Sequence, residues 1–164
     1  MSGTRARAAL GSAIFFVLAP GSTAGLVPWL ITDWQGDAPA WAQALGGAVT
    51  LAGVLLVVAA FVQFVVEGGG TPAPPAPTET LVVGGLYRWV RNPMYVGVAG
   101  AIAGQAVLFA SVGVALVLAA FVLAVTTFVM VYEEPTLRRT YGPAYDDYAR
   151  AVRRWVPRLR PWRP

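Results

Sequence analysis

Two arginines, two tyrosines, an asparagine and a proline crowd between Tyr87 and Tyr95 in the run LVVGGLYRWVRNPMYVG, residues 81–97. A second polar cluster follows from Tyr132 to Tyr148, within VYEEPTLRRTYGPAYDDY, and contributes the adjacent carboxylates Glu133 and Glu134. Side chains of these types offer aromatic faces to a ring or a cation, guanidiniums to a carboxylate or phosphate, and carboxylates to hydrogen-bond donors. The chain has neither cysteine nor histidine. That removes thiolate nucleophiles, disulfides, Cys/His metal sites and any Ser-His-Asp arrangement together, and no metal site is expected.

The elements that must position these clusters are apolar. Hydrophobic residues make up 57% of the 164 residues and charged residues only 12%, outside the range of soluble domains. Four stretches, at about 8–31, 41–66, 94–110 and 112–132, approach the length of roughly 17–25 residues that a membrane-crossing helix needs. The expected fold is therefore an all-α integral membrane domain over residues 1–164. It has about four transmembrane helices, a 67–93 loop and a C-terminal segment, 133–164. All twelve basic residues are arginines, grouped at Arg5 and Arg7, at Arg88 and Arg91, and from Arg138 to Arg163. With four spans these groups share one side, while the 32–40 loop carries Asp33 and Asp37 and no basic residue. The positive-inside rule places both termini and the 67–93 loop in the cytoplasm, with a bacterial inner membrane as the expected setting. The basic balance is then explained by anionic headgroups, without nucleic acid as a partner. Arg5 and Arg7 ahead of an apolar run are also compatible with a cleavable signal peptide.

Pro20, Gly21, Gly25 and Pro28 should kink or break the first span, with neighbouring helices covering freed carbonyls. Gly46, Gly47 and Gly53 suit close packing of the second. Gly68-Gly69-Gly70 reads as a helix stop, and the prolines of GGGTPAPPAPTE, residues 68–79, enforce an extended path. Ala110 to Gly113 forms a tight turn between the third and fourth spans. Pro135 should bend or end the fourth, Gly142 cap it, and Pro143 start an amphipathic helix. That helix gathers Tyr145, Tyr148, Ala149 and Val152 on one face and turns Arg150, Arg153 and Arg154 toward water or headgroups. Gln63 and Gln105 are the most polar side chains within the spans, and all eight carboxylates lie in loops or at helix ends. A mid-membrane charge for proton or cation transport is missing, which counts against a small exporter.

The pair LVVGGLYRWVRNPMYVG and EEPTLRRTYGPAYDDYARAVRRWVP resembles the C-terminal half of the isoprenylcysteine carboxyl methyltransferase family of integral membrane enzymes, and the related phospholipid methyltransferases. The resemblance covers about residues 68–158. It implies S-adenosylmethionine as cofactor, held in a cytoplasmic cup made by the 67–93 loop and the C-terminal segment, and a lipophilic or lipid-like acceptor arriving from the bilayer. By position in the motif, cofactor contacts fall on Thr80, Leu81, Val82, Tyr87, Asn92, Pro93, Met94, Tyr95 and Glu133. Asn92 departs from the commoner pattern, which has histidine there; asparagine donates and accepts hydrogen bonds but does not titrate near neutrality.

Methyl transfer from a sulfonium chiefly requires alignment of donor and acceptor and exclusion of water. A carboxylate acceptor needs no base, so carboxyl O-methylation is the favoured reaction. Arg91 is then the substrate-orienting residue, with Arg88 a second substrate contact and Glu134 or Tyr132 a candidate to accept a proton from other acceptors. Phospholipid amine methylation, a membrane reductase using a nicotinamide and a non-catalytic scaffold remain as other readings. Simpler roles exist for several of these residues. Trp89, Trp155 and Trp162 suit interfacial anchors, Arg88 and Arg91 mark the cytoplasmic side, Glu133 and Glu134 suit a solvated helix end, and Arg150 to Arg163 suit a headgroup-binding face.

Overall fold

The computed structural model describes residues 17–68 and 80–163; the polar linker after Gly68 and the first part of the expected first span lie outside the described residues. A π-helical segment, Val17–Leu26, leads into α1, Val27–Thr32. Then come α2, Ala40–Gly68; a 3-10 turn, Gly85–Arg88; α3, Pro93–Leu108; and α4, Val112–Phe128. A π-helical turn, Val129–Glu133, joins α4 to α5, Glu134–Tyr141, and α6, Pro143–Ala151, follows. Among the described residues there is no β-strand, and Leu81–Val83, with their β-branched valines, run as irregular chain.

Two stretches are long and apolar enough to cross a hydrocarbon core: Ala40–Gln63, within α2, and Val112–Tyr141. Helix α3 is apolar but only 16 residues long, about 24 Å at the usual rise per residue. Along both long stretches large apolar side chains point outward: Leu51, Leu55, Leu116 and Leu123 are each 59–71% exposed. Helices apolar all round suit lipid as the surrounding solvent.

The contacts divide the chain into two compact units. One comprises the described parts of Phe16–Val57 and Met94–Thr126. Its core holds Val57, Val98, Ile102 and Val114, and its closest seam joins α2 to α3 through small residues. A Cβ on Gly46 would come within 2.5 Å of the Leu108 nitrogen, and one on Gly53 within 2.6 Å of the Gly97 oxygen, so the backbones approach as only glycine permits. Gly47, with the same composition signal, has nothing within 4 Å and takes no part. The interrupted first span is a π-helical stretch carrying Pro20, and the expected cover for its carbonyls is supplied by Gln105, whose Nε2 donates to Ala24 O at 2.7 Å.

The second unit comprises the described parts of Val58–Pro93 and Thr127–Pro164. Pro135 does not end the helical path here. The chain widens into the π-helical turn and restarts with Pro135 in the first turn of α5, where a missing N–H breaks no helical bond. Gly142, at φ +54°, ends α5 with its N–H on Arg138 O at 2.9 Å. Helix α6 is amphipathic as its spacing requires: Tyr145 and Tyr148 are buried, as is Val152 beyond its end, and Asp146, Asp147 and Arg150 are exposed.

Candidate functional site

The polar residues of the second unit are assembled on an aromatic floor. Val82, Tyr87, Tyr145, Tyr148 and Val152 are its buried members, with Leu81, Val83 and Trp162 packed against them. Tyr87 is delivered by the 3-10 turn, and α2 fixes that turn. Gln63 Oε1 accepts from the Leu86 N–H at 2.8 Å, Glu67 Oε2 accepts from the Gly84 N–H at 3.2 Å, and Gln63 Nε2 ties the two together by donating to Glu67 Oε1 at 2.8 Å. Gly85 adopts φ +41° against the Gln63 amide, a conformation and a closeness that a side chain would oppose. The Tyr148 hydroxyl then donates to the carbonyl of Tyr87 at 2.8 Å. Burial pushes both phenols up from their ordinary value, and at Tyr87 the charges of Glu133 and Glu67 add to the effect. Both stay protonated at neutral pH, and Glu133 lies near enough for its charge to act on Tyr87.

Beside this floor is a charged network. Glu134, 6% exposed in its side chain, accepts a two-pronged pair from Arg154, Nε to Oε1 at 2.6 Å and an NH to Oε2 at 2.9 Å. Arg91, 10% exposed, reaches the same Oε1 at 3.2 Å and donates to the Tyr145 hydroxyl at 3.1 Å. Bonds to backbone carbonyls lock the two motif segments together: the Arg91 backbone N–H donates to Arg153 O at 2.9 Å, and the Asn92 side-chain Nδ2 donates to Arg154 O at 3.1 Å. Asn92 is thus a buried structural donor. Arg91, Glu134 and Arg154, with Arg138, Asp146, Ala149 and Arg150, line a cleft of about 350 Å³.

The residues singled out from sequence sort as follows. Tyr87, Arg91, Asn92 and Glu134 are brought into one unit, with Glu133 half-buried near Tyr87. Val82 is a core residue, Leu81 flanks it, and Thr80 is exposed with its hydroxyl 3.4 Å from Glu67 O. Pro93, fully buried, closes this unit and starts α3; Met94 and Tyr95 belong to the other unit, where Met94 packs against the Val57 core. Arg88 donates from Nε to Trp162 O at 2.6 Å.

Some expectations need correction. Arg154 was expected to face water or headgroups, yet it turns inward because the buried Glu134 requires a partner. Trp162, expected as an interfacial anchor, also lies 5.4 Å ring to ring from Tyr148, and its backbone N–H donates to Arg88 O. The clamp residues Gln63 and Glu67 went unnoticed as site elements. Their signal was a polar pair four residues apart at the end of an apolar helix, a spacing that places both on one face.

Comparison with family models agrees with this architecture: the phospholipid methyltransferase model matches residues 41–144. The chain belongs to that family, a family of membrane methyltransferases, as the two-part motif suggested. Neither the curated proteins nor the solved structures provide a match.

Proposed function

We propose that the chain is an S-adenosylmethionine-dependent methyltransferase that modifies a lipophilic, lipid-like acceptor at the cytoplasmic face of a four-span bundle. The observation that carries this reading is the joining of two distant motif segments, 80–92 and 133–154, by Tyr148 to Tyr87, Arg91 to Glu134 and Asn92 to Arg154. The donor set suits the cofactor: rings at Tyr87 and Tyr145, a carboxylate at Glu133 and irregular backbone at Leu81–Val83 match an adenosine and an amino-acid end. Thr80, Leu81, Val82, Tyr87, Asn92, Pro93 and Glu133 would hold it. When bound, S-adenosylmethionine supplies a methyl group on a sulfonium, whose leaving group needs no acid.

The protein's part is placement. Tyr148 holds its proton on Oη and so fixes the Tyr87 carbonyl, the clamp from Gln63 and Glu67 holds the turn, and Arg91 orients the acceptor's polar end, with Arg88 beside it in sequence. Glu134 would have to surrender two guanidiniums to act as a base, so it serves better as the holder of Arg91 and Arg154. With both buried phenols pushed up and Glu134 paired, an acceptor that needs no deprotonation fits best, and carboxyl O-methylation remains the favoured reaction. The family match favours phospholipid amine methylation as the second reading.

The test is transfer of isotopically labelled methyl from S-adenosylmethionine into total membrane lipid by the purified protein in detergent. Base-labile label in a carboxyl ester supports the first reading, and label on a headgroup amine supports the second. No label in lipid from any membrane source, with the protein folded, overturns both.

A further inference from the structure

The motif from Tyr87 to Asn92 is held along its length by the chain from Tyr148 to Trp162. The consecutive carbonyls of Tyr87, Arg88 and Trp89 accept, in turn, from the Tyr148 hydroxyl at 2.8 Å, the Trp162 N–H at 2.9 Å and the Arg158 N–H at 2.9 Å. Further on, the Arg91 N–H donates to Arg153 O and the Asn92 side chain to Arg154 O. The two segments thus pass each other in opposite senses, with Arg88 beside Trp162 and Arg91 beside Arg153. Arg88 closes the far end a second time, because its Nε donates to Trp162 O at 2.6 Å. Pro157 and Pro161 immediately precede the donors Arg158 and Trp162. Proline restricts the chain there and lowers the entropy lost when it is ordered.

Apolar cover is uneven along this segment. Val152 is fully buried at its start, whereas Val156 and Leu159 are 57% and 97% exposed. At the far end the Trp162 ring packs on the aromatic floor, 5.4 Å from the ring of Tyr148. A stretch with few buried apolar contacts opens readily, so this ring is what keeps Arg158 and Trp162 against the motif. We propose that Trp162 is a positioning residue for the donor site, the pin of a strap, residues 153–162, that holds Tyr87 to Asn92 in the arrangement that takes the cofactor. It acts through the carbonyl of Arg88 and, by way of Tyr148, that of Tyr87, and not by contact with the reacting atoms. The α2 clamp holds the N–H groups of Gly84 and Leu86, so the motif hangs between two supports. The proposal rests on the methyl-donor reading, since Tyr87 and Asn92 are among the residues which that reading gives to the cofactor.

The experiment compares the full chain in detergent with its Trp162→Ala, Trp162→Phe and Leu159→Ala variants. Amide hydrogen exchange of residues 86–92 is followed beside that of α3, and equilibrium binding of S-adenosylhomocysteine is measured on the same samples. Trp162→Ala should exchange about tenfold faster at 86–92 with α3 unchanged, and should bind about tenfold more weakly, as a motif in place about a tenth of the time would. Trp162→Phe should recover most of both, and Leu159→Ala, at an exposed position of the same strap, should match the native chain. Unchanged exchange at 86–92, or an equal rise there and in α3, makes Trp162 a general packing residue and overturns the proposal. Faster exchange at 86–92 with native affinity also overturns it, because the strap then positions nothing that the cofactor needs. Where Trp162→Ala does not fold, Arg88→Met takes its place: it removes the donor to Trp162 O and leaves the ring. Changes of about threefold in the same directions are then expected, and none would overturn the proposal. A folded native chain that binds no S-adenosylhomocysteine removes the methyl-donor reading, and exchange at 86–92 alone then decides the strap: faster in the variant upholds it, equal overturns it.

Discussion

The described parts of the unit Phe16–Val57 and Met94–Thr126 and those of the unit Val58–Pro93 and Thr127–Pro164 hold themselves together by opposite means. The first is nearly free of charge inside and relies on backbones brought close by Gly46, Gly53, Gly97 and Gly104. Lipid tails are as apolar as its side chains, so contact at short range, and not exclusion of water, decides its packing. The second buries a carboxylate between two arginines and threads phenol and amide hydrogen bonds through an aromatic floor. Such a network tolerates no missing member, because each buried charge or carbonyl depends on its partner. The difference teaches that the apolar unit should degrade gradually under substitution and the polar unit should fail where one atom is removed.

The largest expected effect is therefore at Glu134. Glu134→Ala leaves Arg91 and Arg154 facing each other unpaired, and should lower stability by about 3–5 kcal/mol in thermal or denaturant unfolding of the detergent-solubilised protein. Arg154→Met in the Glu134→Ala background should restore part of that loss. In the apolar unit, Gly53→Val forces α2 away from α3 and should cost about 1–3 kcal/mol. Gly47→Val, at a glycine with open space around it, should cost clearly less in the same assay.

Smaller still is Tyr148→Phe, which removes the donor to the Tyr87 carbonyl and should cost about 1–2 kcal/mol. This bond also carries a pH signature. Burial raises the Tyr148 phenol above its unfolded value of 10.0, so its stabilisation is fully present below that value and is lost as pH rises beyond it through the folded value. Unfolding measured between about pH 8 and about pH 11 should show stability falling at the alkaline end. The fall should be shallower in Tyr148→Phe, and an unchanged slope would mean that this phenol is not the one held neutral.

The same contrast explains what the amino-acid sequence disclosed. Length and hydropathy located the apolar helices α2, α3 and α4 to within a few residues, because a long run without charged side chains leaves few other choices. The amphipathic face of α6 was legible from the spacing of Tyr145, Tyr148 and Val152, and the turn at Gly142 from its need for positive φ. Partnerships were not legible. Whether Arg154 faced headgroups or Glu134 depends on which carboxylate the fold buries, a fact of tertiary geometry that local pattern does not carry. Trp162 was read as an anchor for the same reason, since an aromatic near a membrane surface has the same local signal whether it meets lipid or Tyr148. The break signalled by the proline at 135 was legible but its form was not: the α-helix gives way at Phe128 to a π-helical turn and a new helix starts at Glu134, an option that leaves no mark in composition.

The most direct measurement is equilibrium binding of S-adenosylmethionine to the purified full chain and to its Tyr87→Ala and Glu133→Ala variants, each first shown to be folded. Saturable binding by the native chain, weakened about tenfold or more in both variants, is the predicted result. Equal affinity in all three proteins, or no binding by the folded native chain, would contradict the claim that Tyr87 and Glu133 help to hold a methyl donor.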